Sequence, residues 1–229
     1  RGGEEAEALY QEGIPFEVVP GVTSALAAPA YAGVPLTHRG FASSFTVATA
    51  SESPDKDSPS VAWDLLAQQA GTLVVLMAWE NLASLVETLV RHNKPPETPI
   101  ALVRWGTIPC QQTVVGTLSD IVNKATKTGL APPVVAIIGE VVKLRDRLRW
   151  FDNQPLFGKR VLVTRTHNQA GALSQLLIQR GAEPIELPTI EIRPLDDYSK
   201  LDEILRRLDS YDWVIFTSVN AVEMVFTRL

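Results

Sequence analysis

Cysteine is nearly missing from this chain. Cys110 stands alone among 229 residues, so no internal disulfide can form and the disulfide framework of a small secreted domain is excluded. Read alone, it is a small half-buried apolar residue rather than a nucleophile, because no motif surrounds it. Histidine is almost as sparse. His38, His92 and His167 lie far apart and no CxxC or HxxxH spacing accompanies them, so the sequence holds no metal site. No apolar run approaches the roughly 20 residues that span a bilayer. The longest, residues 73–79 and 134–138, have strand length. Positive charge is not in excess either: a net charge of −5 argues against a nucleic-acid or membrane-surface binder. A Gly-x-Gly-x-x-Gly turn, a P-loop and a Gly-x-Ser-x-Gly elbow are all absent, so nothing supports dinucleotide, nucleoside-triphosphate or serine-hydrolase chemistry. The chain does not open on methionine, Arg1-Gly2-Gly3-Glu4-Glu5 reads like the middle of something, and residues 225–229 stop inside a helical pattern. The expectation is a fragment, inactive by itself, of a longer cytoplasmic protein.

What is present is an α/β pattern. At 45% apolar residues the chain can bury a substantial core, as one large or two ordinary domains. Helical spacing over residues 4–12 is followed by a strand pattern at 14–19. A helix capped by Thr23 or Ser24 runs to about Ala32, with Pro29 either kinking it or falling in a short first turn. Further strands are predicted at 45–50, 72–77, 99–103, 113–116 and 134–138. Helices are predicted at 63–69, 82–92 and, capped by Thr117, 118–127, and residues 141–148 close the region with alternating charge. The Ser-, Asp- and Pro-rich stretch 51–60 reads as a surface loop and a candidate lid. Residues 150–158 break every period and read as a linker. The pattern then restarts with a strand at 160–164, a helix at 169–180 and a strand at 184–187, the opening of a βαβ unit. A helix at 201–208, a buried strand at 213–216 and a helix at 221–229 complete it.

The most telling segment is residues 18–39, Val-Val-Pro-Gly-Val-Thr-Ser-Ala-Leu-Ala-Ala-Pro-Ala-Tyr-Ala-Gly-Val-Pro-Leu-Thr-His-Arg. A small-residue helix entered through hydroxyls lets backbone come close to a ligand, and its first N–H groups are free to bind one. On Thr23 alone, an ordinary helix cap explains the pattern. The whole segment, however, resembles that of the uroporphyrinogen-III C-methyltransferases in the tetrapyrrole methylase family. The resemblance implies S-adenosyl-L-methionine as cosubstrate, contacted at Thr23 and Ser24. It also implies a cofactor contact at Met77, where the family's Tyr-Met-Gly becomes Leu76-Met77-Ala78, so that Ala78 slightly crowds the site. Gly106 stands in for the glycine of the family's Asn-Gly-Thr turn, here Trp105-Gly106-Thr107, although a turn glycine needs no ligand. Val135 and Ala136, in the family's final strand, are implied to line the adenine pocket, with a purely structural role as the plain alternative.

The implied substrate, uroporphyrinogen III, is ringed with carboxylates, so an acidic protein must still present local cations, and arginine is their natural fork. Arg1, His38, Arg39 and Arg104 are the candidates, each weighed against ordinary surface charge and Arg104 most of all. The resemblance implies methylation at C2 and then C7 to precorrin-2, and a homodimer. It places the family's catalytic acid, base and Gly-Gly-Asp loop upstream of Arg1, so no catalytic residue is assigned here.

The second region resembles uroporphyrinogen-III synthase. The resemblance rests on Gly158-Lys159-Arg160-Val161-Leu162-Val163-Thr164-Arg165, Gly181-Ala182-Glu183-Pro184, Leu187-Pro188-Thr189-Ile190-Glu191-Ile192 and Asp212-Trp213-Val214-Ile215-Phe216-Thr217-Ser218-Val219-Asn220-Ala221-Val222. It implies cyclisation of hydroxymethylbilane, with Arg165, Thr217, Ser218 and Asn220 as substrate contacts; surface charge for Arg165 and helix capping for the others are the plain alternatives. The combined expectation is a tetrapyrrole methylase C-terminal α/β domain (residues 1–149, of which 1–20 end its first subdomain), a linker (150–158), and the beginning of a two-domain, flavodoxin-like α/β synthase fold (159–229). Its rivals are a methyltransferase acting on a later precorrin and a non-catalytic dimerisation or ligand-binding module.

Overall fold

The structure, a computed structural model, describes residues 2–50, 61–165, 167–190, 193 and 196–229, with backbone alone for 167–170. The candidate lid 51–60 and the candidate substrate residue Arg1 lie outside the described residues. The centre of the first region is a five-stranded sheet in the order β1-β2-β5-β3-β4, formed by β1 (Phe45–Thr49), β2 (Thr72–Leu76), β3 (Pro99–Arg104), β4 (Gln112–Thr117) and β5 (Val134–Ile138). β1 and β2 are parallel; every other pairing is antiparallel. β2, β3 and β5 are continuous apolar runs because their side chains are buried on both faces. One face packs Leu73, Val75, Ile100, Leu102, Ala136 and Ile138 with residues of α3 (Trp63–Gln68), α4 (Leu82–Arg91) and α5 (Ile121–Lys127). The other packs Val74, Ala101, Val103, Val135 and Ile137 against Ala25, Ala28 and Ala32, at and just beyond α2 (Ser24–Tyr31), and against Val141 and Val142.

Two buried cations serve this frame. The Lys94 ammonium donates to the carbonyls of Ala67 (3.0 Å) and Gln69 (3.2 Å) at the end of α3, and burial lowers its pKa. Arg145, which opens α6 (Arg145–Leu148), donates to the Ala32 carbonyl and pairs with Asp152.

Residues 150–157, read from sequence as a linker, are packed rather than free. The Trp150 indole N–H donates to the Ala30 carbonyl at 3.1 Å, and Tyr31 stacks 4.9 Å from Trp150 and 4.8 Å from Phe151. Beyond them, β6 (Arg160–Val163) and β7 (Glu183–Glu186) form a parallel pair joined by α7 (His167–Gln179). α8 (Ser199–Leu205) and α9 (Val219–Phe226) follow.

Several expectations need correction. α1 (Gly3–Gln11) forms, but residues 14–19 are exposed and make no strand. Residues 213–216 are likewise exposed and unpaired, not a buried strand. Apolar runs announce burial, but strand structure also needs a partner edge, and among the described residues none lies beside either segment. α5 starts at Ile121 rather than Leu118 because the Asp120 carboxylate accepts the Thr117 N–H at 2.8 Å, making a turn before the helix and leaving Thr117 without the capping role. Pro29 sits in the second half of α2, where it withdraws the donor that the Ala25 carbonyl would otherwise meet.

Candidate functional site

The ends of β2 and β3 and the start of α2 enclose a cavity of about 760 Å³, within the size range of small-ligand sites. Ser24, Met77, Trp105, Gly106, Thr107 and Val135 are among its lining residues. α2 meets it amino end first: Thr23 is the N-cap, its hydroxyl oxygen accepting the Ala25 N–H at 3.3 Å, and Ser24 is the first helical residue. The small residues expected of a backbone-approach helix do their work on the protein side. A Cβ added to Gly106 would lie 2.7 Å from the Ala28 Cβ and 2.9 Å from its Cα, so this glycine lets the 105–107 turn close onto α2.

The backbone at the two strand ends is unusual. Among the described residues, the non-glycine positions with positive φ are Met77 (53°), Asn93 (70°), Trp105 (49°) and Thr107 (80°). Asn93 follows a helix, where asparagine commonly takes this conformation. The other three all line the cavity. Each such residue costs on the order of 1–3 kcal/mol and persists only where its surroundings over-determine it, and such residues cluster at ligand sites. For Met77 the turn follows a strand buried on both faces; for Trp105 and Thr107 it sits between β3, β4 and α2.

Polar groups are few. The lining carries the Ser24 and Thr107 hydroxyls, the Asn81 amide and the Glu80 carboxylate, and among the described residues Glu80 is its one ionisable residue. Asn81 also donates to the Ala50 carbonyl at 2.9 Å, tying the end of β1 to the loop after β2. Behind the turn, the Arg104 guanidinium stacks 3.6 Å from the centroid of the Trp105 ring and reaches Gln112 at 3.4 Å. Arg104 is therefore half-buried beside the turn rather than a fully solvated surface charge, and it does not line the cavity. An apolar chamber with a helix N-terminus, scattered hydroxyls and one carboxylate suits a flat heteroaromatic ligand that also carries positive charge, and S-adenosylmethionine has that chemistry.

The structure therefore brings Ser24, Met77 and Gly106 to one cavity, with Thr23 at its edge as the cap. Ala136 is a correction: its side chain is fully buried in the core on the α3–α5 face and does not line the cavity, whereas Val135, on the opposite face of the strand, does. Val134, at the first position of β5, lines it as well. Ala78 is a second correction. It turns into the same core and does not line the cavity, so replacing the family's glycine there does not crowd the site. His38 and Arg39 lie apart, on an exposed turn; the His38 Nδ1 accepts the Gly40 N–H at 3.1 Å and its ring stacks 5.2 Å from Phe41. Glu80 and Gln111 were not singled out from sequence, because what marks them is a place in the cavity lining for the one and burial for the other rather than a motif.

In the second region Arg165 is exposed just past β6, while Thr217, Ser218 and Asn220 gather at the start of α9. The Ser218 oxygen accepts the Ala221 N–H at 3.1 Å, which makes it the cap. Thr217 is exposed and Asn220 half-buried. Beside them an apolar groove of about 410 Å³ runs between α8, α9 and residues 211–216. Among the described residues there is no group able to hold a metal ion, and no helix is long and apolar enough to cross a membrane.

Comparison with known proteins gives this geometry a context. Residues 1–122 match the family model of the tetrapyrrole (corrin/porphyrin) methylases, and residues 171–229 match that of uroporphyrinogen-III synthase HemD. The whole chain is 39% identical to 45% of the porphyrin biosynthesis protein HemD of Ruminiclostridium josui. It is 38% identical to 47% of the uroporphyrinogen-III C-methyltransferase of Bacillus subtilis. The chain thus spans about half the length of the curated relatives that it matches end to end. Among solved structures, the uroporphyrin-III C-methyl transferase of Thermus thermophilus complexed with S-adenosylhomocysteine superposes with a TM-score of 0.53 at 34% identity, covering 63% of this chain and 61% of that one.

Proposed function

The chain belongs to the tetrapyrrole (corrin/porphyrin) methylase family, and from that membership we propose that the cavity is the cofactor cradle of an S-adenosylmethionine-dependent methyltransferase acting on uroporphyrinogen III. The observation that carries this reading is the meeting of Ser24, Met77 and Gly106 in one cavity, walled by three left-handed non-glycine residues. The second region supplies the start of a uroporphyrinogen-III synthase, so one protein closes hydroxymethylbilane and then methylates the product at C2 and C7 to give precorrin-2. The intact protein works as a homodimer in the cytoplasm.

The cosubstrate supplies an electrophilic methyl on a sulfonium. The chain's own residues bind and orient. In-line displacement by a pyrrole carbon depends mainly on positioning and a dry approach. The Ser24 N–H at the start of α2 and the Ser24 hydroxyl offer donors to a carboxylate or an adenine edge. The Met77 thioether offers a soft, polarisable contact. Glu80 favours a positively charged ligand at the cavity wall. His38, Arg39 and Arg165 provide exposed cations for substrate carboxylates. Thr217, Ser218 and Asn220 are the groups at the start of α9 to grip a propionate; the Ser218 oxygen accepts the Ala221 N–H as the cap and keeps its own O–H to donate.

Titration calorimetry of the intact protein with S-adenosylhomocysteine tests the cradle. Saturable binding, weakened about tenfold by Ser24→Pro or Met77→Asp, is expected; a folded protein that takes up no ligand overturns it. Supplying hydroxymethylbilane and S-adenosylmethionine then tests the pair of activities: a type III macrocycle bearing two added methyl groups is expected. Cyclisation without methylation removes the methyltransferase half of the reading.

A further inference from the structure

Gln111 lies just before β4 and is only 5% exposed, yet none of its side-chain bonds goes to β4's partner strand. Its Oε1 accepts the N–H of Thr107 at 3.1 Å. Its amide nitrogen points to the Tyr31 carbonyl at 3.4 Å and to the Thr113 hydroxyl at 3.5 Å. Its own N–H donates to the Ile108 carbonyl at 2.9 Å, which closes the 108–111 turn. Thr107 holds φ at 80° and Trp105 at 49°, conformations that a β-branched or bulky residue leaves unless held. Tyr31 is the last residue of α2, where carbonyls lack helical partners. One buried amide therefore spans an orphan donor in the turn and an orphan acceptor in the helix, and turn and helix both line the same cavity.

We propose that Gln111 is a positioning residue of the cofactor site: by bridging Thr107 and Tyr31 it holds the 105–107 turn in its left-handed shape and sets the affinity of the cavity. The assignment rests on the cradle reading above. It touches no ligand itself, since it does not line the cavity. Its effect passes through Trp105, Gly106 and Thr107, all of which do. The glutamine amide meets two needs at once without titrating, an acceptor toward an N–H and a donor toward a carbonyl.

The test is S-adenosylhomocysteine affinity of the intact protein, measured by calorimetry at a temperature where circular dichroism shows each variant folded. Gln111→Met removes both bonds and is expected to weaken binding about tenfold, the scale of one lost buried hydrogen bond. Gln111→Glu separates positioning from bulk packing. Below the pKa of its buried carboxyl, raised by desolvation, the neutral acid accepts from Thr107 and donates to Tyr31 as glutamine does. Above it, the carboxylate faces the Tyr31 carbonyl with no proton to give. Affinity close to that of the unsubstituted protein at about pH 5.5, falling about tenfold relative to it by about pH 8, is the expected signature. A packing role alone predicts no such pH profile in affinity. If Gln111→Met does not fold, the Gln111→Glu profile decides. Binding within twofold of the unsubstituted protein for Gln111→Glu across that range overturns the assignment and leaves the cradle standing. An unsubstituted protein that binds no S-adenosylhomocysteine overturns both.

Discussion

β3 and β5 carry Ile100, Leu102, Ala136 and Ile138 on one face and Ala101, Val103, Val135 and Ile137 on the other, and all of them are buried. On β6, Val163 is buried while Leu162, one residue earlier, is 56% exposed. The contrast continues in the helices. α4 buries Leu82, Leu85 and Leu89, whereas α8 and α9 bury no residue. Both regions are built from the same α/β materials, but only the first covers both faces of its sheet. That difference bears on function. Left-handed turns at Met77, Trp105 and Thr107 need a frame stiff enough to hold them, and the doubly covered sheet provides one. Thr217 and Asn220 sit at the start of a helix with no buried residue beneath it.

The sharpest way to break the comparison is a pair of truncations. Leu102→Ala removes a fully buried side chain between β4 and β5 and should cost about 4 kcal/mol. Ile215→Ala, at a residue 83% exposed, should fall within about 0.5 kcal/mol of no effect. Denaturant titration of this chain measures both. A loss at Ile215 comparable with that at Leu102 would mean that the second region has a core of its own.

Next in size is the joint. Arg145 and Asp152 are both largely buried, and the other Asp152 oxygen has no partner. Arg145→Met leaves that carboxylate buried and unpaired, and should cost about 3 kcal/mol. Hydrogen exchange tells how far the damage spreads. Loss of protection in β2, β3 and β5 with β6 and β7 unchanged keeps the regions separate; loss in both makes 150–157 part of one cooperative unit.

The buried sheet was legible in the sequence for the same reason that it is stable. Residues 72–76, 99–104 and 134–138 read as continuous apolar runs because both faces are covered, and α4 showed its apolar stripe at helical spacing. Residues 14–19 and 213–216 show the same chemistry and were misread as strands, since composition reports an appetite for burial but not the edge that satisfies it. Ser24, Met77 and Gly106, which meet in the cavity, came from resemblance to a family segment rather than from any period, while Ala136 turns its side chain into the core and away from the cavity. Gln111 had no signal to give. A glutamine in Cys110-Gln111-Gln112 carries no period, and its meaning comes from a bond to Tyr31, 80 positions away.

The smallest effect separates the regions most finely, because it starts from matched local bonds. Thr23 caps α2 through the Ala25 N–H at 3.3 Å, and Ser218 caps α9 through the Ala221 N–H at 3.1 Å. Substitution of either by alanine removes one capping bond, about 1 kcal/mol. α2 buries Ala25, Ala28 and Pro29 against the sheet, so Thr23→Ala should lower the global unfolding midpoint. α9 buries nothing, so Ser218→Ala should speed exchange in 221–226 and leave that midpoint unchanged. Thr23→Ser keeps the cap and should restore both stability and S-adenosylhomocysteine affinity. If it restores stability alone, the Thr23 methyl itself contributes to the cavity edge; if Ser218→Ala moves the global midpoint as far as Thr23→Ala does, α9 shares the cooperativity of the first region and the contrast between the two dissolves.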